Sequence, residues 1–222
     1  MPSVDVIKLH LSDRNRPAKI IDQIVELATA QSVDISYHSS AQLSRISKNA
    51  KQDQGVALDL RCQNFQSLDD FLKSPRESNK VIALDRVTNP QNLGMIIRSV
   101  AASPTAAILI PTKGCAPLNS MVIKASAGAL FKAPIVQVED LHSSLVKCQT
   151  QGFNVASLEI GAPVSIFDYT SDTPTVFVLG NETDGVSSGT ANLCDVSLHI
   201  PMERGVESLN VAVTASLIAF LS

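Results

Sequence analysis

The chain has 222 residues, of which 45% are hydrophobic and 18% are charged, and its formal net charge is −3. This length and composition are typical of a globular protein with one large or two small domains, and they exclude a disordered chain. The negative charge excludes the overall basic character of proteins that bind nucleic acids through many phosphate contacts, and the lack of tryptophan leaves few aromatic stacking platforms.

Cysteine and histidine are sparse and scattered along the chain. The four cysteines and four histidines have neither metal-ligand spacing nor the pattern of a disulfide framework. We find no apolar run of about 18 residues and no signal-peptide pattern at the start. We therefore expect a soluble protein of a reducing, intracellular compartment, the cytoplasm or, for a copy without its transit peptide, an organelle.

The first part of the chain predicts a small α/β domain. Strands at 4–9, 33–37 and 55–60 alternate with helices at 16–31 and 40–47. In the first helix, five apolar side chains recur on one face at helical spacing: Ile20, Ile21, Ile24, Val25 and Ala28. A polar segment containing Pro75 follows, so we expect domains of 1–76 and 77–222.

The first domain also contains the best candidate for a local nucleic-acid contact. Its basic side chains are Arg45, Lys48, Lys51 and Arg61. A solvated face of mixed charge is the more common explanation of such residues, so both interpretations stay open.

From residue 80 onward, strands and helices alternate regularly. The predicted strands lie at 81–84, 106–110, 153–158, 175–180 and 196–201, and the predicted helices at 90–102, 141–151 and 209–220. These strands are nearly continuous apolar runs, as expected when both faces of a sheet are covered. The pattern predicts a parallel sheet in an α/β sandwich.

In such a sheet, ligands bind at the carboxyl ends of the strands, and three strand-to-loop junctions carry polar residues. In the first, Asn89 and Pro90 predict the N-cap and first position of a helix. Arg98 lies deeper in this apolar helix, where it either reaches solvent or needs an acceptor. The residues of this segment leave the two interpretations equally open.

The second junction is a polar turn after a strand, and we tested it as a phosphate loop. Gly180 and Gly185 have the required separation, but Val186 and Ser187 follow where Lys and Ser or Thr are needed. No dinucleotide-binding glycine fingerprint occurs after any strand. These absences argue against a conventional phosphate-binding loop.

The third junction leads into the last helix. Ser208 suits an N-cap, although Val211 stands where a capping box needs Glu or Gln. Capping by Ser208 leaves Asn210 without a role.

Together and in this order, the segments NPQNLGMIIR, LGNETDGVS and IPMERGVESLNVAV resemble the three signature motifs of the SpoU (TrmH-like) branch of the SPOUT RNA methyltransferases. The resemblance covers residues 80–220. It implies a parallel-sheet α/β domain with a C-terminal trefoil knot, which generally forms homodimers. It also implies S-adenosyl-L-methionine as cofactor, RNA as partner and methylation of a ribose 2′-hydroxyl in rRNA or tRNA, with no metal or membrane.

The N-terminal segment resembles the small ribosomal-protein-like RNA-binding domain that is often fused to this catalytic domain. The similarity lies in KQDQGVALDL, where Asp53 replaces the usual histidine. This resemblance implies a small α/β domain that binds the RNA substrate.

Carried over by position, the resemblance implies a catalytic set of Asn92, Arg98, Glu182, Ser208 and Asn210. It implies cofactor-binding positions at Gly180, Ile200, Met202 and Leu209. Arg98 would polarise the ribose hydroxyl beside an RNA phosphate, and Glu182 would pair with Arg98 or orient Asn92. Ser208 and Asn210 would contact the ribose or phosphate.

Two other functions fit parts of this sequence. One is a non-catalytic RNA-binding or ribosome-assembly factor on the same fold, although all five candidate catalytic residues are present. The other is an unrelated α/β nucleotide-binding enzyme, which the missing phosphate loops disfavour. We expect an RNA methyltransferase, with rRNA a better candidate substrate than tRNA.

Overall fold

A computed structural model of the chain describes residues 4–48, 53–62, 65–75 and 78–221. The contacts divide the chain into two compact units, one ending at Asn64 and the other beginning at Phe65. The helix Leu68–Lys73 (α3) belongs to the second unit. The boundary expected between residues 76 and 77 lies outside the described residues, and a functional division there stays a prediction.

The first unit contains a three-stranded sheet with the order β2-β1-β3. Its strands are β1 at Val4–Ser12, β2 at Asp34–His38 and β3 at Val56–Cys62. Strand β1 is parallel to β2 and antiparallel to β3. Helices Lys19–Ala30 (α1) and Ser40–Ser47 (α2) follow β1 and β2, close to the predicted positions.

The apolar face predicted for α1 is only partly buried. Ala28 packs with the strand residues Leu9 and Leu11, and Ile24 lies against this cluster. Ile20, in contrast, is 61% exposed. It lies in the first turn of α1 and at the edge of the apolar stripe.

The second unit contains a seven-stranded sheet with the order β6-β5-β4-β9-β7-β10-β8, and all its recorded strand pairs are parallel. The strands are β4 at Lys80–Leu84, β5 at Ala107–Pro111, β6 at Ile135–Val138, β7 at Asn154–Leu158, β8 at Val164–Ser165, β9 at Thr175–Leu179 and β10 at Val196–His199. The prediction of a parallel α/β sheet is confirmed. Strands β6 and β8 were not predicted, because such short segments carry little periodicity.

The helices of the second unit after α3 are α4 at Pro90–Ala101, α5 at Ser120–Ala125, α6 at Leu141–Thr150, α7 at Ser188–Ala191 and α8 at Val211–Phe220, with a 3₁₀ helix at Ala129–Phe131. Helices α4 and α6 match their predictions within one residue at each end. Helix α8 begins later than predicted, and the short helices α5 and α7 were not predicted.

Residues that alternate along the strands pack against different helices. Ile82 belongs to the apolar cluster that includes α4 and α8, whereas its neighbours Val81 and Ala83 belong to the cluster that includes α6. The sheet is therefore covered on both faces, which explains its continuous apolar strands. Ser99 of α4 and Ser216 of α8 share a hydrogen bond of 2.7 Å on one of these faces.

Candidate active site

Helix α4 follows the carboxyl end of β4, and Asn89 fixes its first turn. The Asn89 Oδ1 accepts hydrogen bonds from the backbone nitrogens of Gln91 at 2.8 Å and Asn92 at 3.4 Å. Pro90 occupies the first position, where no backbone donor is needed. The predicted cap is thus confirmed, and it holds the buried side chain of Asn92 at the start of the helix.

The first turn of α8 is capped by Asn210 and not by Ser208. The Asn210 Oδ1 accepts a hydrogen bond of 2.8 Å from the backbone nitrogen of Ala212. Ser208 is exposed and lies before the cap. The interpretation of Ser208 as the cap was wrong. The apolar Leu209 continues the helical sequence pattern toward the N-terminus, although the helix itself begins only at Val211.

The side chain of Asn92 joins three segments of the chain. Its Nδ2 donates a hydrogen bond to Glu182 Oε1, in the loop after β9. Its Oδ1 accepts one of 3.1 Å from Asn210 Nδ2. The structure therefore brings together three of the five predicted catalytic residues, all at the carboxyl edge of the sheet.

The loop that carries Glu182 is closed on itself. Asn181 and Gly185 exchange backbone hydrogen bonds of 3.0 and 2.9 Å, and Asn181 Oδ1 accepts from the backbone nitrogen of Thr183 at 2.8 Å. A Cβ at Gly180 would lie 2.0 Å from the carbonyl carbon of Gly185. Glycine is therefore required at position 180 by the close approach of the loop backbone.

The segment after β4 fastens this loop to the neighbouring strand. Asn181 Nδ2 donates to the Arg86 carbonyl at 3.1 Å, and the Arg86 guanidinium donates to the Gly185 carbonyl at 3.2 Å. The buried carboxylate of Asp85 accepts from the backbone nitrogen of Ser187 at 2.7 Å. These contacts hold the loop that positions Glu182.

Arg98 lies apart from this network. Its side chain is exposed, and it has no recorded hydrogen bond or ion pair within the described residues. At about 100° per residue, Arg98 is about a third of a turn around the helix from Asn92. Of the two roles expected for Glu182, the structure shows contact with Asn92 and no pairing with Arg98.

A cavity of about 630 Å³ opens at the carboxyl ends of β7, β9 and β10. All four predicted cofactor-binding positions line it, and so do two of the predicted catalytic residues: Gly180, Ile200, Met202, Leu209, Glu182 and Ser208. Its volume lies in the range of small-molecule sites. The predicted cofactor positions are thus gathered around one cavity, which is bounded on one side by the first turns of α8.

Three ionisable residues of the lining were not predicted as site residues: Glu159, His199 and Glu207. Glu159 directly follows β7, and His199 is the last residue of β10. Both positions follow the rule that ligands bind at the carboxyl ends of parallel strands, which is the sequence signal that identifies them.

The cavity lining is acidic. It includes the carboxylates of Glu159, Glu182 and Glu207, and no lysine or arginine of the described part of the chain lines it. His199 Nδ1 is buried and has no hydrogen-bond partner among the residues that the structure describes. This lining favours a ligand with positive charge and hydrogen-bonding groups.

Two other kinds of site were sought in the described ranges. No group of three or more His, Cys, Asp or Glu side chains there is arranged to hold a metal ion. No helix in these ranges is both long enough and apolar enough to span a membrane.

Comparison with known proteins identifies the family. The model of the SpoU rRNA Methylase family matches residues 79–220. The chain belongs to this family. The SpoU segment contains the cavity, the Asn92 network and all nine residues predicted for the site.

Curated relatives of this SpoU family member are similar along most of its length. An uncharacterized tRNA/rRNA methyltransferase of Mycolicibacterium gilvum is 30% identical over 89% of this chain and 64% of its own. A Bacillus subtilis protein, provisionally assigned to the TrmH family of tRNA/rRNA methyltransferases, is 30% identical over 89% of this chain and 80% of its own. The chain spans only 54 to 64% of the length of the first curated relatives that it matches.

Solved structures show the same fold. The AdoMet-bound rRNA methyltransferase from Sinorhizobium meliloti has a TM-score of 0.80 at 22% identity, over 97% of this chain and 78% of that one. The SpoU methyltransferase AviRb from Streptomyces viridochromogenes, in complex with AdoMet, has a TM-score of 0.78 at 21% identity, over 98% and 81% of the two chains.

Proposed function

We propose that this SpoU family member transfers a methyl group from S-adenosyl-L-methionine to a ribose 2′-hydroxyl of a structured RNA, with rRNA preferred to tRNA. The observation that carries the proposal is the position of the acidic cavity beside the network of Asn92, Glu182 and Asn210. Both features lie in the segment that matches the family.

The cavity fits S-adenosylmethionine in size and in charge. The cofactor carries a sulfonium and an ammonium, which suit the carboxylates of the lining. Backbone groups of Gly180, Ile200 and Leu209 would hold the adenosine, and Met202 would contribute an apolar wall. When bound, the cofactor supplies an activated methyl group, so the protein needs to orient the hydroxyl and ease the loss of its proton.

The amide network orients the residues around the hydroxyl. Both groups of the Asn210 amide are engaged, one by Ala212 and one by Asn92, so Asn210 is a positioning residue. Asn92 in turn holds Glu182 at the edge of the cavity. Ser208 is exposed and lines the cavity, so its hydroxyl is available to the RNA ribose or phosphate.

Arg98 acts from outside the cavity. Its guanidinium is exposed and has no ion pair within the described residues, so it is available to the RNA. Arginine is a poor general base at neutral pH, because its pKa lies far above this range. Its role is to polarise the hydroxyl, and an adjacent RNA phosphate accepts the proton.

A homodimer, with the trefoil knot in each protomer, is part of the same proposal. Apolar side chains are exposed on helices α4 and α8 and in the segment that contacts α8: Met95 at 43%, Val213 at 48%, Phe220 at 58% and Phe167 at 56%. The last three line one shallow groove beside α8. Apolar surface of this kind is typical of protein–protein contacts.

The test is transfer of a labelled methyl group from S-adenosylmethionine to unmodified rRNA and tRNA. We expect label in RNA at one ribose 2′-oxygen, mapped by the resistance of the adjacent phosphodiester bond to alkali. Binding of RNA and cofactor without transfer would favour a non-catalytic RNA-binding or assembly factor. Label on a base would contradict the ribose assignment.

A further inference from the structure

The carboxylates of the cavity differ in what they contact. Glu182 is held by Asn92 at the side nearest α4. Glu159 follows β7, which lies between β9 and β10 in the sheet, and it has no part in the Asn92 network. Its charge therefore does not act through that network.

Glu159 is anchored by one of its two carboxylate oxygens. Ser157 Oγ donates a hydrogen bond of 2.6 Å to Oε1, and Ser157 is fully buried. Ser157 Oγ also lies 3.0 Å from Ser197 Oγ, on the neighbouring strand. The backbone nitrogen of Glu159 is tied to the Leu198 carbonyl at 2.9 Å.

The other oxygen of Glu159, Oε2, has no recorded hydrogen bond in the described part of the chain. A carboxylate that lines a cavity with one oxygen anchored by a buried hydroxyl is preorganised for a ligand. The Ser157 hydroxyl is neutral, so its hydrogen bond does not offset the charge of the carboxylate.

We infer that Glu159 is a cofactor-specificity residue that favours S-adenosylmethionine over S-adenosylhomocysteine by charge. The inference rests on the proposed function. Methyl transfer removes the sulfonium charge, so the net charge of the nucleoside falls from about +1 to about 0 at neutral pH, counting one ammonium and one carboxylate in each. The acidic cavity lining therefore attracts S-adenosylmethionine more strongly than S-adenosylhomocysteine. The product therefore leaves a pocket that still attracts fresh cofactor.

The experiment measures both nucleosides by titration calorimetry with the full chain and with Glu159→Gln. Glutamine keeps the size of the side chain and an oxygen for Ser157, but it lacks the charge. We expect the variant to lose about fivefold in affinity for S-adenosylmethionine, as for a partly solvated charge pair, and less than about twofold for S-adenosylhomocysteine.

Glu203→Gln is the matched control, because Glu203 is exposed in the loop after β10 and is absent from the cavity lining. It should leave both affinities unchanged. The salt dependence of both affinities tests the inference without a variant. The preference of the natural chain for S-adenosylmethionine should decrease as ionic strength rises, because salt screens exposed charges.

Equal losses for the two nucleosides in Glu159→Gln, or none for either, would overturn the inference while leaving the proposed function intact. A salt-independent preference in the natural chain would also overturn it. If the natural chain bound neither nucleoside, the proposed function would fail, and the inference with it.

Discussion

Asn92 and Asn210, which are 118 residues apart in the chain, share a hydrogen bond of 3.1 Å between Asn210 Nδ2 and Asn92 Oδ1. Each asparagine also takes part in a helix cap: Asn210 Oδ1 accepts a hydrogen bond from the backbone nitrogen of Ala212 in α8, and the backbone nitrogen of Asn92 donates one to Asn89 Oδ1 at the start of α4. The bond therefore ties the beginnings of two helices together. It links the stability of α8 to the position of Glu182.

Replacement of Asn210 should destabilise the fold, whereas replacement of Ser208 should not. We expect Asn210→Ala to lower the free energy of unfolding by about 1–2 kcal/mol, through the lost cap and the broken bond to Asn92. Ser208→Ala should change it by less than about 0.5 kcal/mol and reduce methyl transfer instead. Urea unfolding and the transfer assay measure the two effects. Equal destabilisation by the two variants would refute the assignment of the cap.

Arg98→Ala should separate activity from stability. The side chain is exposed and has no recorded partner in the described ranges, so we expect a change below about 0.5 kcal/mol in the free energy of unfolding. Methyl transfer should fall by about a hundredfold or more, and Arg98→Lys should restore part of it. A folded Arg98→Ala protein that binds cofactor and methylates RNA at the normal rate would rule out the proposed role.

Gly180→Ala should disrupt the loop after β9. The added Cβ would lie 2.0 Å from the Gly185 carbonyl carbon, so we expect a loss of about 2 kcal/mol or more in stability and weaker cofactor binding. Gly189→Ala is the matched control, since a Cβ there meets nothing within 4 Å. Thermal unfolding measures the stability of the two variants, and calorimetry measures their cofactor binding. Wild-type behaviour of Gly180→Ala would show that the close approach is not a constraint.

The thiols should differ strongly in reactivity. Burial raises the pKa of Cys194 to about 11 and also raises the pKa of Cys115, whereas Cys148 is fully buried and Cys62 is exposed. At neutral pH we expect a disulfide reagent to label Cys62 rapidly and the other three slowly. Cys62→Ser should remove the fast phase, and a fast phase that survives this change would contradict the assignment.

The raised pKa of Cys194 also predicts a direction for stability against pH. The unfolded thiol loses its proton near its ordinary pKa of 9.0, while the folded thiol keeps it to about 11. Across this window the folded state binds more protons, so its advantage is present below pH 9 and is lost as the pH rises. Urea unfolding between pH 9 and about 11 should show that the free energy of unfolding declines more steeply with pH for the natural chain than for Cys194→Ala.

The groove beside α8 should mediate the proposed homodimer. Val213→Lys places a charge in a groove that also contains Phe167 and Phe220, so we expect light scattering to show a shift from dimer to monomer. Ile20→Lys, at another exposed apolar side chain, should leave the mass unchanged. A monomeric natural chain would contradict the dimer.

Some of the N-terminal expectations stay predictions. Arg45, Lys48 and Arg61 are exposed, while Lys51 lies outside the described residues. Asp53, which replaces the usual histidine of the resembled domain, accepts hydrogen bonds from Ser47 Oγ and the backbone nitrogen of Gly55. These contacts give Asp53 a role in the turn before β3.

The resemblance of three motifs to the SpoU family, and not a local pattern, supplied the set of positions around the cavity. The order of apolar and polar residues by itself determined the parallel sheet and the cap at Asn89. These features are local, because periodicity and capping depend on near neighbours in the chain. Only the tertiary structure decided that β7, β9 and β10 place their ends around one cavity, and that Asn92 contacts Asn210 and Glu182 rather than Glu182 contacting Arg98. Such relationships depend on strand order and on the direction of each side chain around its helix, which chain-local patterns do not specify.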